Sequence, residues 1–206
     1  MNLPFTFGAS VMSGALFPAF SRVQSEPHKL RRAFVVATEL TAMVAATACG
    51  LLAIAAPHVI PMLYGENWRG VVAPLQVLCI AGYFRALYHL GGVVAHSVGA
   101  VYAELRNQVI YAGLVLGGAM IGASRGLVGV AAGVGCAILW MFVATSRLAL
   151  RASALTWREY LHGQLGAMVT AIFSCAFGLG VRLALERQEV SSPIISAAVV
   201  CAGGVP

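Results

Sequence analysis

The residues of this chain best suited to chemistry are Arg85, His89 and His96, which recur at offsets of four and eleven positions and so share one face of a helix with Gly82 and Gly92. They stand inside an otherwise apolar run from Ala73 to Val98. Ionisable side chains in such a run are costly in hydrocarbon and face a bundle interior, an aqueous cavity or one another. Counting about 1.5 Å per residue from the nearest basic loop puts Glu39 at a depth of about 9 Å, His96 at about 3 Å, His89 at about 13 Å and Arg85 at about 18 to 20 Å. Arg85 at mid-bilayer suits an anionic ligand such as a phosphate, and Glu39 lies within pairing depth of either histidine. Two readings are open for this set: a substrate path made of Arg85, His89, His96 and Glu39, or a structural buried ion pair.

Other chemistry finds no apparatus. Gly122-Ala-Ser124-Arg-Gly126 has the spacing of a hydrolase nucleophile elbow, but that motif needs a preceding strand, and here it joins two apolar helices. There is no phosphate-binding loop, zinc-protease helix or paired-cysteine motif, and the chain has no Asp. Cys49, Cys79, Cys136, Cys175 and Cys201 sit in apolar segments without metal-like or paired spacing and read as small packing residues. The expectation is therefore a non-enzyme with no cofactor and no metal.

These residues are carried by membrane helices. With 60% hydrophobic and 10% charged residues and a mean hydropathy of +0.86, the chain has too little polar surface for a soluble globule. A hydrocarbon core of about 30 Å takes roughly 20 apolar residues per helix. Segments near 3–20, 33–56, 73–98, 107–124, 126–146, 164–184 and 193–206 answer that description, the last too short to span. The strict alternation of a membrane barrel is missing, so the fold class is an all-α membrane bundle of about six transmembrane helices plus a truncated seventh, forming a single domain over 1–206. No basic residue precedes the first segment, which argues against a secretory leader. Both ends fall in apolar stretches, which predicts a fragment.

The charges fix an orientation. Alternate loops hold Arg22, Lys29, Arg31, Arg32, Arg106, Arg147, Arg151 and Arg158, against Arg69, Arg125 and Arg187 in the intervening set. Eight against three places the first set in the cytoplasm. The net charge of +6 is explained by topology and lipid headgroups, with no nucleic-acid partner. In the loops, Ser25 and Pro27 open a helix, Pro57 and Pro61 stop one before an external loop, and Thr156-Trp-Arg-Glu159 is a capping box. The box predicts a short amphipathic helix with Trp157, Tyr160 and Leu161 against the membrane surface. Small-residue pairs Ala46/Gly50, Gly113/Gly117, Gly118/Gly122 and Gly129/Gly133 predict close helix packing.

Four of these stretches, Leu16-Phe-Pro-Ala-Phe-Ser-Arg22, Pro61-Met-Leu-Tyr-Gly-Glu-Asn-Trp68, Pro74-Leu-Gln-Val-Leu78 and Gly126-Leu-Val-Gly-Val-Ala131, resemble in order and spacing the polysaccharide-export flippases. That family shares a superfamily with multidrug extrusion transporters and peptidoglycan-precursor flippases. The resemblance implies half of a two-bundle transporter, its C-terminal half, that moves undecaprenyl-pyrophosphate-linked oligosaccharide across the bacterial inner membrane by alternating access for exopolysaccharide or O-antigen synthesis. It also implies, as partners, lipid-linked oligosaccharide, membrane lipids, and a separate N-terminal half or a second copy to close the cavity. Arg85 falls where such flippases are cationic, whereas Gly99-Ala-Val replaces the Gly-Arg or Gly-Lys that often follows this helix. The alternatives are a drug extruder dependent on Glu39, or a non-transporting scaffold or truncated gene remnant.

Overall fold

The computed structural model describes residues 27–153 and 155–166, with positions 169, 172, 173 and 176, and every regular element among them is helical. Helix α1 (Pro27–Tyr64) is followed by a 3-10 helix (Glu66–Val71), α2 (Val72–Ser97), α3 (Val101–Ala123) and α4 (Gly126–Ser153). A short helix α5 occupies 157–166. The all-α class is as expected, but among the described residues fewer helices qualify as spans than the sequence predicts there. Three stretches, His28–Tyr64, Glu66–Ser97 and Gly126–Ser153, are long and apolar enough to cross a membrane. Glu104, Arg106, Asn107 and Gln108 make the first turns of α3 polar, which leaves too short an apolar remainder. The expected segments 3–20 and 193–206, and most of 164–184, lie outside the described residues, as do Ser25, Cys175 and Cys201.

Helix α1 corrects a second expectation. Pro57 and Pro61 stand within it, and it runs on to Tyr64. Proline removes the amide that would bond the carbonyl four residues back, which for Pro57 is that of Ala53. Gln76 of α2 donates its Nε2–H to that carbonyl at 3.0 Å, so the orphaned acceptor is satisfied from outside. The helix ends where Gly65 takes a φ of 89°, its N–H bonding the Pro61 carbonyl at 2.8 Å.

Helix α2 packs against α1 on one side and α4 on another, and α3 folds back along α4. Leu30, Phe34, Leu87, Val94, Met141 and Leu150 form the buried centre. Outward, Val44, Leu116, Met120 and Ile121 are largely bare. An apolar exterior over helices of this length is a lipid-facing surface. The basic start of α1 meets α5 through an Arg31–Glu159 ion pair, and so joins the end to which the last turns of α4 lead.

The α3–α4 hairpin turns at Gly126, whose φ of 74° favours glycine. Ser124 caps it, its hydroxyl donating to the Ile121 carbonyl at 2.8 Å, so the elbow-like sequence is a helix end. Beyond the turn, Gly122 lies against Gly129 and Gly118 against Gly133; a Cβ on Gly118 would stand 2.8 Å from the Gly133 carbonyl oxygen. Two of the expected small-residue pairs thus interlock with each other across the hairpin. Gly113 and Gly117 face open space.

Candidate functional site

Helix α2 presents its charged stripe in a gap between two neighbours. Gly82 and Gly92 are its borders: a Cβ on Gly82 would stand 3.2 Å from Cys49 Sγ of α1, and one on Gly92 would stand 3.4 Å from Glu104 Oε1 of α3. Arg85 and His89, between those approaches, and His96, one turn beyond Gly92, are exposed. The stripe is therefore an open face of the described bundle, not a core. The sequence pattern put all five residues on one side of a helix, but only the packing shows that the glycines are covered and the cations are not.

Glu39 lies elsewhere. Its carboxylate packs on α5, where a Cβ on Gly163 would stand 3.1 Å from Oε1. Among the described residues no ion pair joins Glu39 to His89 or His96, and none engages Arg85. The structure thus gathers three of the four sequence-derived residues and separates the fourth, because α1 turns Glu39 towards α5. Among the described residues no group of three or more His, Cys, Asp or Glu side chains is arranged to hold a metal ion.

Glu104 was not singled out by sequence reasoning, yet it is the most enclosed carboxylate described. It is 3% exposed, at the junction of α2, α3 and α4. Gln108 Nε2 donates to its Oε1 at 3.3 Å. Its Oε2 has no hydrogen-bond partner, and neither has the buried hydroxyl of Thr145 on α4. Gly91 and Gly92 make the junction possible: bare of side chains, they receive Thr145 and Glu104 side by side. The available signal was a Glu followed at three and four residues by Asn107 and Gln108, a polar face opening an apolar helix.

The junction of α4 and α5 is built as its capping box predicts. Thr156 N–H and Oγ1–H donate to Glu159 Oε2 at 3.2 and 3.1 Å, and Glu159 N–H donates to Thr156 Oγ1 at 3.4 Å. The Thr156 amide, then its hydroxyl, and the Arg31 guanidinium hold the Glu159 carboxyl below its ordinary range. Tyr160 is a correction. It does not lie on the membrane surface but is 3% exposed, stacked on Phe34 at 5.9 Å and beside Phe142 at 6.3 Å. Burial pushes its phenol up to about 12. Tyr160 packs inward on the Phe34 and Phe142 rings, while Trp157 and Leu161 face out and an Arg31–Glu159 ion pair joins the same helix to α1. Tyr83 of α2 completes the joint, donating its O–H to Gln164 Oε1 at 3.0 Å.

A family profile described as polysaccharide biosynthesis protein matches residues 1–73. Over 118 residues, 55% of this chain and 24% of the relative, the chain is 27% identical to the lipopolysaccharide biosynthesis protein WzxC of Escherichia coli (strain K12). Over 91 residues, 44% of this chain and 17% of the relative, it is 31% identical to an uncharacterized membrane protein in the cps region of Klebsiella pneumoniae. The matched stretches thus take in about a quarter of the first relative and a sixth of the second. No solved structure matches the chain. The resemblance carried by the loop motifs is borne out, as a likeness to membrane proteins of polysaccharide biosynthesis.

Proposed function

From that likeness and the open cationic face of α2, we propose that this chain serves a transporter moving undecaprenyl-pyrophosphate-linked oligosaccharide across the bacterial inner membrane for exopolysaccharide or O-antigen synthesis. The coarser role, a multi-pass membrane protein of polysaccharide biosynthesis, rests on the apolar helices and the matched relatives. The finer one rests on Arg85. A guanidinium exposed on a membrane-spanning helix needs an anion or a polar cavity. Phosphate oxygens match its planar fork with paired hydrogen bonds, whereas hydrocarbon offers it nothing. His89, one turn along, and His96, near the helix end, extend the same open face towards the basic loops. A pyrophosphate headgroup entering from that side meets donors at successive depths while its lipid tail stays in hydrocarbon.

An open face also explains how one bundle can take part in alternating access. The gap between α1 and α3 is where an N-terminal half, or a second copy, would close over the cargo. The chain would act as a carrier, binding and orienting the headgroup without breaking bonds. In a strain carrying the complete protein, Arg85→Ala should reduce polymer export at least tenfold while membrane insertion is unchanged; normal export with the variant would defeat the assignment.

A further inference from the structure

The geometry points to Glu104 as a proton-binding site, in which the carboxyl takes up a proton on Oε2 and shares it with the Thr145 hydroxyl across the α3–α4 interface. Five observations lead there. The carboxyl is 3% exposed and Thr145 is fully buried, so water does not solvate either. One neutral donor, Gln108, satisfies Oε1, and the other oxygen is left without a partner. The unpartnered Oγ1 of Thr145 belongs to the neighbouring helix, whose Thr145 methyl packs on Gly91 while Glu104 Oε1 packs on the adjacent Gly92. No salt bridge engages Glu104 among the described residues. An isolated buried carboxylate is expensive, and one added proton removes the charge and gives the orphaned oxygens a hydrogen bond at once.

A metal ion fits less well. A hard cation takes six or more oxygens, or at least several beyond those of one carboxylate and one hydroxyl, and no cluster of acidic, histidine or cysteine side chains surrounds the site among the described residues. The Thr145 hydroxyl has no partner of its own, so its oxygen is free to accept a hydrogen bond from a protonated Glu104. The ionisable groups facing Glu104 are few. From α2 they are His96 and Tyr88; α4 presents the neutral Thr145; on α3 itself Tyr111 lies against Tyr88, with ring centroids 6.0 Å apart. His96 is exposed on the open face and near enough to Glu104 to interact with it electrostatically.

The site does not depend on the proposed cargo, and its test needs no transport. In the full chain reconstituted in lipid nanodiscs with potassium as the salt, pH-difference infrared spectra should show a protonated-carboxyl band that grows on acidification and vanishes on alkalinisation. Glu104→Gln, of the same shape and without the ionisation, should remove one component of that band and leave the part due to the other glutamates. Thr145→Val, which deletes the acceptor and keeps the volume, should shift that component to higher frequency. The inference is overturned if the native chain and Glu104→Gln give the same titrating band. It is equally overturned if Thr145→Val leaves that component unmoved, or if sodium in place of potassium abolishes it at fixed pH.

Discussion

Pro57 removes an N–H from α1, and Gln76 of α2 supplies one to the carbonyl that lost it. That exchange lets a helix pass through a residue that ordinarily ends one, and it ties α1 to α2 at a fixed register. Gln76→Leu leaves the Ala53 carbonyl orphaned within the bundle, which costs about 1 to 3 kcal/mol. The expected outcome is a lower unfolding midpoint for the nanodisc-embedded chain, recovered when Pro57→Ala restores the amide in the same molecule; failure of that recovery would refute the exchange. Arg85 and Glu104 show the two limits of reading at this scale. The sequence singled out Arg85, inside an apolar run, but not Glu104, at the polar start of α3. Which one is open and which is enclosed depends on the neighbours: Arg85 stands in the gap between α1 and α3, whereas Glu104 enters the notch that Gly92 leaves.

The helices meet by shape. Apolar side chains gain little by leaving lipid for another apolar surface, so close backbone approach has to hold α3 to α4. Gly118 and Gly122 meet Gly133 and Gly129 at distances no side chain tolerates, while Gly117, one residue from Gly118, meets nothing. Gly122→Val should therefore drive the Gly129 carbonyl away and cost about 1 to 3 kcal/mol or more. Gly117→Val, on the open side, should be near neutral. Thermal unfolding of the two variants in the same nanodiscs checks this; equal midpoints would disprove the interlocked hairpin. The same logic explains α5. Its capping box was legible as four residues, because the hydrogen bonds are local, but the inward turn of Tyr160 is made against Phe34 of α1 and Phe142 of α4, both distant in sequence. No local pattern contains that information.

Among the described residues, the loops that join α1 to α2 and α3 to α4 alternate with those that join α2 to α3 and α4 to α5, and most basic residues sort with the second set, Arg69 and Arg125 with the first. Lys and Arg resist translocation, so the second set should be cytoplasmic. In an otherwise cysteine-free full chain, Gly70→Cys should react with a membrane-impermeant maleimide in intact cells, and Arg151→Cys only after permeabilisation; the reverse pattern would invert the orientation and with it the entry side for cargo. The sequence by itself determined the class of solvent, the helical fold, the capping box and the charge asymmetry. Each follows from composition or from interactions within a few residues. It did not determine the number of spans, because polar residues such as Glu104 and Asn107 belong to α3 only once a neighbouring helix shelters them. Nor did it determine that Pro57 sits within a helix, that Tyr160 turns inward, or that Arg85 faces a gap while Glu104 is sealed. Those outcomes were decided by tertiary structure, because burial and hydrogen-bond satisfaction are properties of pairs of helices, and a periodic pattern on one helix leaves the identity of its neighbour open.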